Sequence, residues 1–214
     1  MSEETQIILN EEKKGDLKSF FLNNKKSLIT SIIIILLALF AYFFYVDYTK
    51  DQKVKISDQY NLAIINYDKD KPDSSASEMK SIIKAKDPTY STLALYFLLD
   101  NNLLDNKDEI NKYFDILIND VKLEKETKNL IIFKKGLYNS ESANEEDLLN
   151  IFKPLINSEN LWRSHTLYII AEYFFSKNEM KKSKEFFEKI LELKNPNQKI
   201  RLEAQKRLQR DFSE

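Results

Sequence analysis

LYIIAEYFFSKNEMKKSKEFFEKILELKNP, residues 167–196, reads as two helices joined by a short polar break and closed by proline. On the first helix, Ala171 is the small residue at which two helices touch, and Phe174 follows three positions later. On the second, Ser183, Phe187 and Ile190 share one face at i, i+4 and i+7. The same triad recurs upstream as Ser75-Met79-Ile82, Ile110-Phe114-Leu117 and Leu148-Phe152-Leu155. Its central members, Met79, Phe114, Phe152 and Phe187, are 35, 38 and 35 residues apart. On the preceding helices Tyr96, Phe133 and Ile170 form a second series, 37 residues apart. A period in the middle thirties, with two helices per period, predicts stacked helical hairpins, because one hairpin alone cannot bury its apolar face.

The whole of the chain beyond the N-terminal apolar stretch fits that reading. The spacing predicts helices over 50–67, 74–86, 89–101, 107–122, 125–139, 144–157, 161–177, 179–194 and 197–210, with the first left open to run on from what precedes it. Turn chemistry separates them, as at Pro72-Asp73, Asp87-Pro88, Asp105-Asn106 and Asn195-Pro196. Pro154 lies inside a helical pattern and is expected to kink or restart that helix. Glycine occurs only at Gly15 and Gly136, which disfavours a β-rich fold. The fold class is all-α: about four hairpins and a C-terminal capping helix, 197–210.

Ahead of the repeats, Leu28–Val46 is nineteen residues without a charge. Lys25 and Lys26 bound it on one side, Asp47, Lys50 and Asp51 on the other. A helix of that length nearly matches a hydrocarbon core of ~30 Å. The run ends in bulky residues with no small-x-small site, so an uncleaved anchor is expected rather than a signal peptide. Tyr42, Phe43, Phe44, Tyr45 and Tyr48 suit an interfacial aromatic belt. Residues 1–27 read as an N-terminal tail, 28–46 as the transmembrane helix, and 47–214 as the repeat domain. Five lysines (13, 14, 18, 25 and 26) precede the span and three (50, 53 and 55) follow it, which places the tail in the cytoplasm.

Composition excludes much chemistry. The chain has no cysteine, one histidine and a formal net charge of −1, so thiol catalysis, zinc fingers and a broad nucleic-acid-binding field are not expected. No phosphate-binding glycine loop is possible with two isolated glycines. His165 reads as structural rather than catalytic, and acidic pairs such as Asp108-Glu109 and Glu145-Glu146 are explained by helix starts. The expectation is no enzyme, no cofactor and no metal. Charge is uneven, with eleven basic against five acidic residues over 177–210 and an acidic stretch over 139–160. Solvated helix faces account for such runs, and a partner surface is the other reading.

The unit 167–196 resembles the tetratricopeptide repeat, with Ala171 and Ser183 at small positions and Phe174 and Phe187 at aromatic ones. It departs from that pattern at Ile190, which is large, and at Pro196, which falls one residue late. With the short charged tail and single span, the layout resembles the YfgM-like ancillary subunits of the SecYEG translocon of proteobacteria; Leu161-Trp162-Arg163-Ser164-His165 and Lys199-Ile200-Arg201-Leu202-Glu203-Ala204 resemble that family's last repeat and terminal helix. The resemblance implies an inner-membrane protein with a periplasmic repeat domain. It also implies translocon subunits, a periplasmic chaperone and client polypeptides as partners. An envelope-assembly or division scaffold is the alternative. Helical solenoids take peptides on the groove made by successive first helices, where Tyr96, Lys134, Tyr168 and Glu172 are expected. Tyr173-Phe174-Phe175 cannot bury every ring on one face, so one is expected to line that groove.

Overall fold

A large buried side chain on each second helix, Met79, Phe114, Phe152 or Phe187, marks the repeat of the structure. The structure, a computed structural model, describes residues 24–212 and divides into two compact units, Met1–Lys55 and Ile56–Glu214. Nine helices and no strands are present among the described residues: α1 (Lys25–Ile65), α2 (Asp73–Lys84), α3 (Tyr90–Asp100), α4 (Lys107–Asn119), α5 (Lys125–Asn139), α6 (Glu145–Ile156), α7 (Arg163–Ser176), α8 (Met180–Glu192) and α9 (Gln198–Asp211). The residues before 24, with their lysines at 13, 14 and 18 and Gly15, lie outside the described residues.

In the first unit, α1 is long and apolar enough to cross a membrane. Its most apolar 18-residue window has a mean hydropathy of 2.6, and none of that window is buried. Phe40, at 74% exposed, and its apolar neighbours from Ile29 to Tyr48 offer water nothing to bond. The helical segment from residue 50, which the sequence left open to run on from the apolar stretch, is continuous with it, since neither Gly nor Pro interrupts it.

In the second unit, packing is a chain of neighbours. The substantial helix contacts join consecutive helices from α2 to α9, together with α2 on α4 and α7 on α9. Three apolar clusters follow one another along the sequence, with Ile118 packing against the first two and Ile156 and Phe186 against the last two. Each unit leans on the next, a helical repeat-like architecture. All twelve residues of the four predicted triads are buried. Of the other packing residues expected in the last unit, Ala171 and Phe174 are buried as well.

The register comes from a contact the sequence reading did not use. Ala63, Leu98, Gly136 and Ala171 are all buried, and each lies sixteen residues before Met79, Phe114, Phe152 and Phe187 respectively. Three of these pairs lie within one apolar cluster each, and Gly136 meets Phe152 directly. That contact is tight: a Cβ on Gly136 would sit 2.1 Å from Cε1 of the Phe152 ring. The series Tyr96, Phe133 and Ile170 does not hold this register, lying eighteen, nineteen and seventeen residues before the same aromatic positions. Accordingly Tyr96 and Phe133 are half-buried while Ile170 is fully buried.

Helix ends follow local chemistry. Asn106, Asn144 and Asn197 cap α4, α6 and α9 by accepting from backbone N–H groups of the first turn. Buried Ser91 and Ser183 donate across to the carbonyls of Ile82 and Ala171, at 2.8 and 2.9 Å. Pro154 does not restart its helix. It sits in the last turn of α6, where only the Asn150 carbonyl loses a helical donor, and the helix runs on to Ile156.

Gly136→Ala should therefore cost stability out of proportion to one methyl, about 1–3 kcal/mol, because Phe152 has no room to retreat. Thermal unfolding of the full-length protein by circular dichroism measures it. Combining it with Phe152→Leu is expected to cost less than the sum of the two single changes.

Candidate functional site

The first helices of successive pairs, α3, α5 and α7 followed by α9, are linked by side chains at each step. Between α3 and α5, the Lys134 ammonium lies 3.8 Å from the centre of the Tyr96 ring, a cation–π contact. The Tyr96 hydroxyl is buried without a hydrogen-bond partner. Burial pushes its phenol up to about 12, and the Asp100 carboxylate adds to the rise. Between α5 and α7, Phe133 stacks on Trp162 at 5.1 Å, and the His165 ring packs against both. Between α7 and α9, Glu172 takes two contacts from the Arg207 guanidinium, at 2.8 and 2.9 Å.

Of the four residues expected on the concave groove, the structure brings Tyr96 and Lys134 together. Tyr168 and Glu172 form a separate group, one helical turn apart and committed to the end of the stack. Tyr168 packs edge-on against Phe187 at 5.4 Å. Arg207, only 11% exposed as a side chain, also pairs with Asp211 and lies 4.2 Å from the Phe175 ring. Of the three rings at 173–175, Tyr173 and Phe174 are buried and Phe175 is half-buried beneath Arg207. Arg207 and Trp162 were not singled out as site residues by the sequence reading, because their roles depend on partners 35 and 29 positions away.

The two faces of the repeats differ in how far their charges are satisfied. The second helices are tied by ion pairs: Lys80 of α2 to Glu109 of α4 at 3.0 Å, and Lys182 of α8 to Glu145 of α6 at 2.7 Å. The Lys80 ammonium, with the Tyr113 hydroxyl, holds the Glu109 carboxyl below its usual range. The Lys182–Glu145 pair also joins the basic stretch to the acidic one, so part of that charge segregation is internal pairing. On the first-helix side Lys134 pairs with no carboxylate among the described residues. Leu93 and Leu137 lie three positions from Tyr96 and Lys134 on their helices and remain 39% and 45% exposed. Leu93, Tyr96, Lys134 and Leu137 thus make an open patch of apolar surface around one cation.

His165 gives this face a pH signature. Its Nδ1 is buried without a partner, and burial holds its pKa below the ordinary value, against the opposing pull of the Leu161 backbone. The unfolded chain therefore binds the proton more readily, so stability is complete above the ordinary histidine range and falls as pH drops through it. Thermal midpoints of the full-length protein at pH 7.5 and 5.5 should differ, and His165→Gln should narrow that difference. In comparisons with known proteins, no family profile, no curated protein and no solved structure matches this chain.

Proposed function

We propose that this protein is a membrane-anchored protein-interaction module, a tetratricopeptide-like solenoid that takes peptide segments on its first-helix face and performs no catalysis. The observation that carries the reading is the contrast between faces. Ion pairs join α2 to α4 and α6 to α8, while Leu93, Lys134 and Leu137 stay exposed on α3 and α5 around the half-buried Tyr96 ring. Aromatic and aliphatic anchors beside a lysine suit a peptide that offers apolar side chains and an acceptor. Tyr168 and Glu172 border the same face and shape its end by holding α9.

The span Leu28–Val46 fixes the module beside a membrane, and the lysine excess ahead of it favours an N-terminus in the cytoplasm and a repeat domain in the periplasm. The resemblance to the YfgM-like family supports a place beside the SecYEG channel at the inner membrane, recruiting a periplasmic chaperone or emerging client chains.

Two experiments test this. Because the chain lacks cysteine, Glu141→Cys, at an exposed position, reports sidedness. Labelling by an impermeant maleimide in spheroplasts is expected, and labelling only after lysis would place the domain in the cytoplasm. A photo-crosslinking residue at Leu93 or Leu137 should capture channel subunits or a periplasmic folding factor, and Lys134→Ala should weaken that capture at least several-fold. Capture of wall or outer-membrane machinery instead would move the same fold to the scaffold role.

A further inference from the structure

Arg163 opens α7, and its Nε is buried with no hydrogen-bond partner. No carboxylate lies within ion-pair distance of its guanidinium among the described residues. An unmatched buried N–H of a charged group is costly, and native structures keep few of them. Arg163 lines a cavity of about 560 Å³ between the α6–α7 turn, the α8–α9 turn and the start of α5. A second cavity of about 600 Å³ adjoins it, with Arg163, Glu159, Leu193 and Lys194 lining both.

The floor of the first cavity is settled apart from the arginine. Ser164 is buried and its Oγ accepts from the Asn197 backbone N–H at 3.0 Å. Glu126, the carboxylate in the wall, already accepts from the Asn129 amide at 3.2 Å and the Leu161 N–H at 3.4 Å. Glu159 and Lys194 are exposed at the rim, where their opposite charges offset each other. What the cavity offers a ligand is one uncommitted guanidinium between apolar walls of Leu161, Leu193 and Pro196, with Leu161 72% exposed at the mouth.

We propose that this cavity binds a carboxylate carried next to an apolar side chain, either the end of a polypeptide or an acidic residue within one. Arg163 takes the carboxylate through its planar N–H fork, and the apolar neighbour lodges against Leu161 and Leu193. The site lies at the turns between pairs, apart from the Tyr96–Lys134 patch, and does not rest on the function proposed for that patch.

Three probes test it on the full-length protein in detergent or nanodiscs: N-acetyl-Ala-Leu as the free acid, the same dipeptide as its carboxamide, and N-acetyl-Leu-Glu-amide. Thermophoresis gives the affinity, and Trp162, the sole tryptophan and the neighbour of Arg163, gives a fluorescence readout. At least one carboxylate probe should bind saturably and at least tenfold more tightly than the carboxamide. Which of the two it is assigns the source as chain end or side chain. Arg163→Gln should bring acid binding down to the carboxamide level. Leu161→Asp, at a position too exposed to threaten folding, should weaken it about tenfold, while Lys134→Ala should leave it unchanged. Equal binding of acid and carboxamide, absence of saturable binding by both acids, or indifference to Leu161→Asp would overturn the proposal. So would loss of binding in Lys134→Ala, which would move the probe to the first-helix face.

Discussion

The seating of a large side chain on each second helix against a residue sixteen positions earlier on the first is the contact on which the repeats depend. Gly136 with Phe152 shows it directly, and Ala63 with Met79, Leu98 with Phe114 and Ala171 with Phe187 share the same spacing, each pair within one apolar cluster. Where the earlier residue is glycine, the ring closes to a distance that no Cβ would allow. The pairing fixes how closely the two helices of a unit approach, and therefore which side chains of the next unit can reach them. Ion pairs such as Lys80–Glu109 and Lys182–Glu145 then join second helices at a separation already set by apolar packing. Being part-exposed, they add little stability of their own.

One consequence is an asymmetry of faces. A second helix needs one apolar side, because its other side meets water and the ion pairs. A first helix is gripped from several directions. Helix α7 shows the extreme, with Ser164, Thr166, Leu167, Ile170, Ala171, Tyr173 and Phe174 all buried around its circumference. The portion of the first-helix face left open is confined to α3 and α5, where Leu93 and Leu137 keep their exposure. Toward α9 the same face is covered by Arg207, held by Glu172 and Asp211 over Phe175.

That asymmetry explains what was legible in the sequence. Second helices are one-sided, so their i, i+4, i+7 triads read directly, and every residue so chosen is buried. First helices such as α3 and α7 are apolar on several sides, so many spacings find matches on them. The 37-residue series through Tyr96, Phe133 and Ile170 was such a match, and it drifts against the true register. Gly136 was visible as a rare residue, but its role needed knowledge of which ring faces it. The candidate patch was half legible: Tyr96 and Lys134 meet, while Tyr168 and Glu172 serve the C-terminal end. Arg207 could not be assigned, since a single arginine in a basic stretch carries no mark of the partner it will find.

A linear stack also has to solve the problem of its ends, where a helix has a neighbour on one side only. At the C-terminal end, α9 buries Ala204 against the last pair and turns a face rich in Lys, Arg and Gln to water, with Arg207 binding it to α7. At the other end the repeat unit begins with the tail of α1, where Ile56, Tyr60 and Ala63 join the first cluster and Ser57 accepts from the Tyr90 hydroxyl at 2.7 Å. The first helix of the first pair and the apolar stretch Leu28–Val46 therefore belong to one helix, with no glycine or proline between them. Such an end is not free to fray as a terminal helix normally does, because unwinding it would have to begin in the middle of a helix rather than at a tip. The stack thus closes on a separate helix at its C-terminal end, while its first helix has no N-terminal tip of its own.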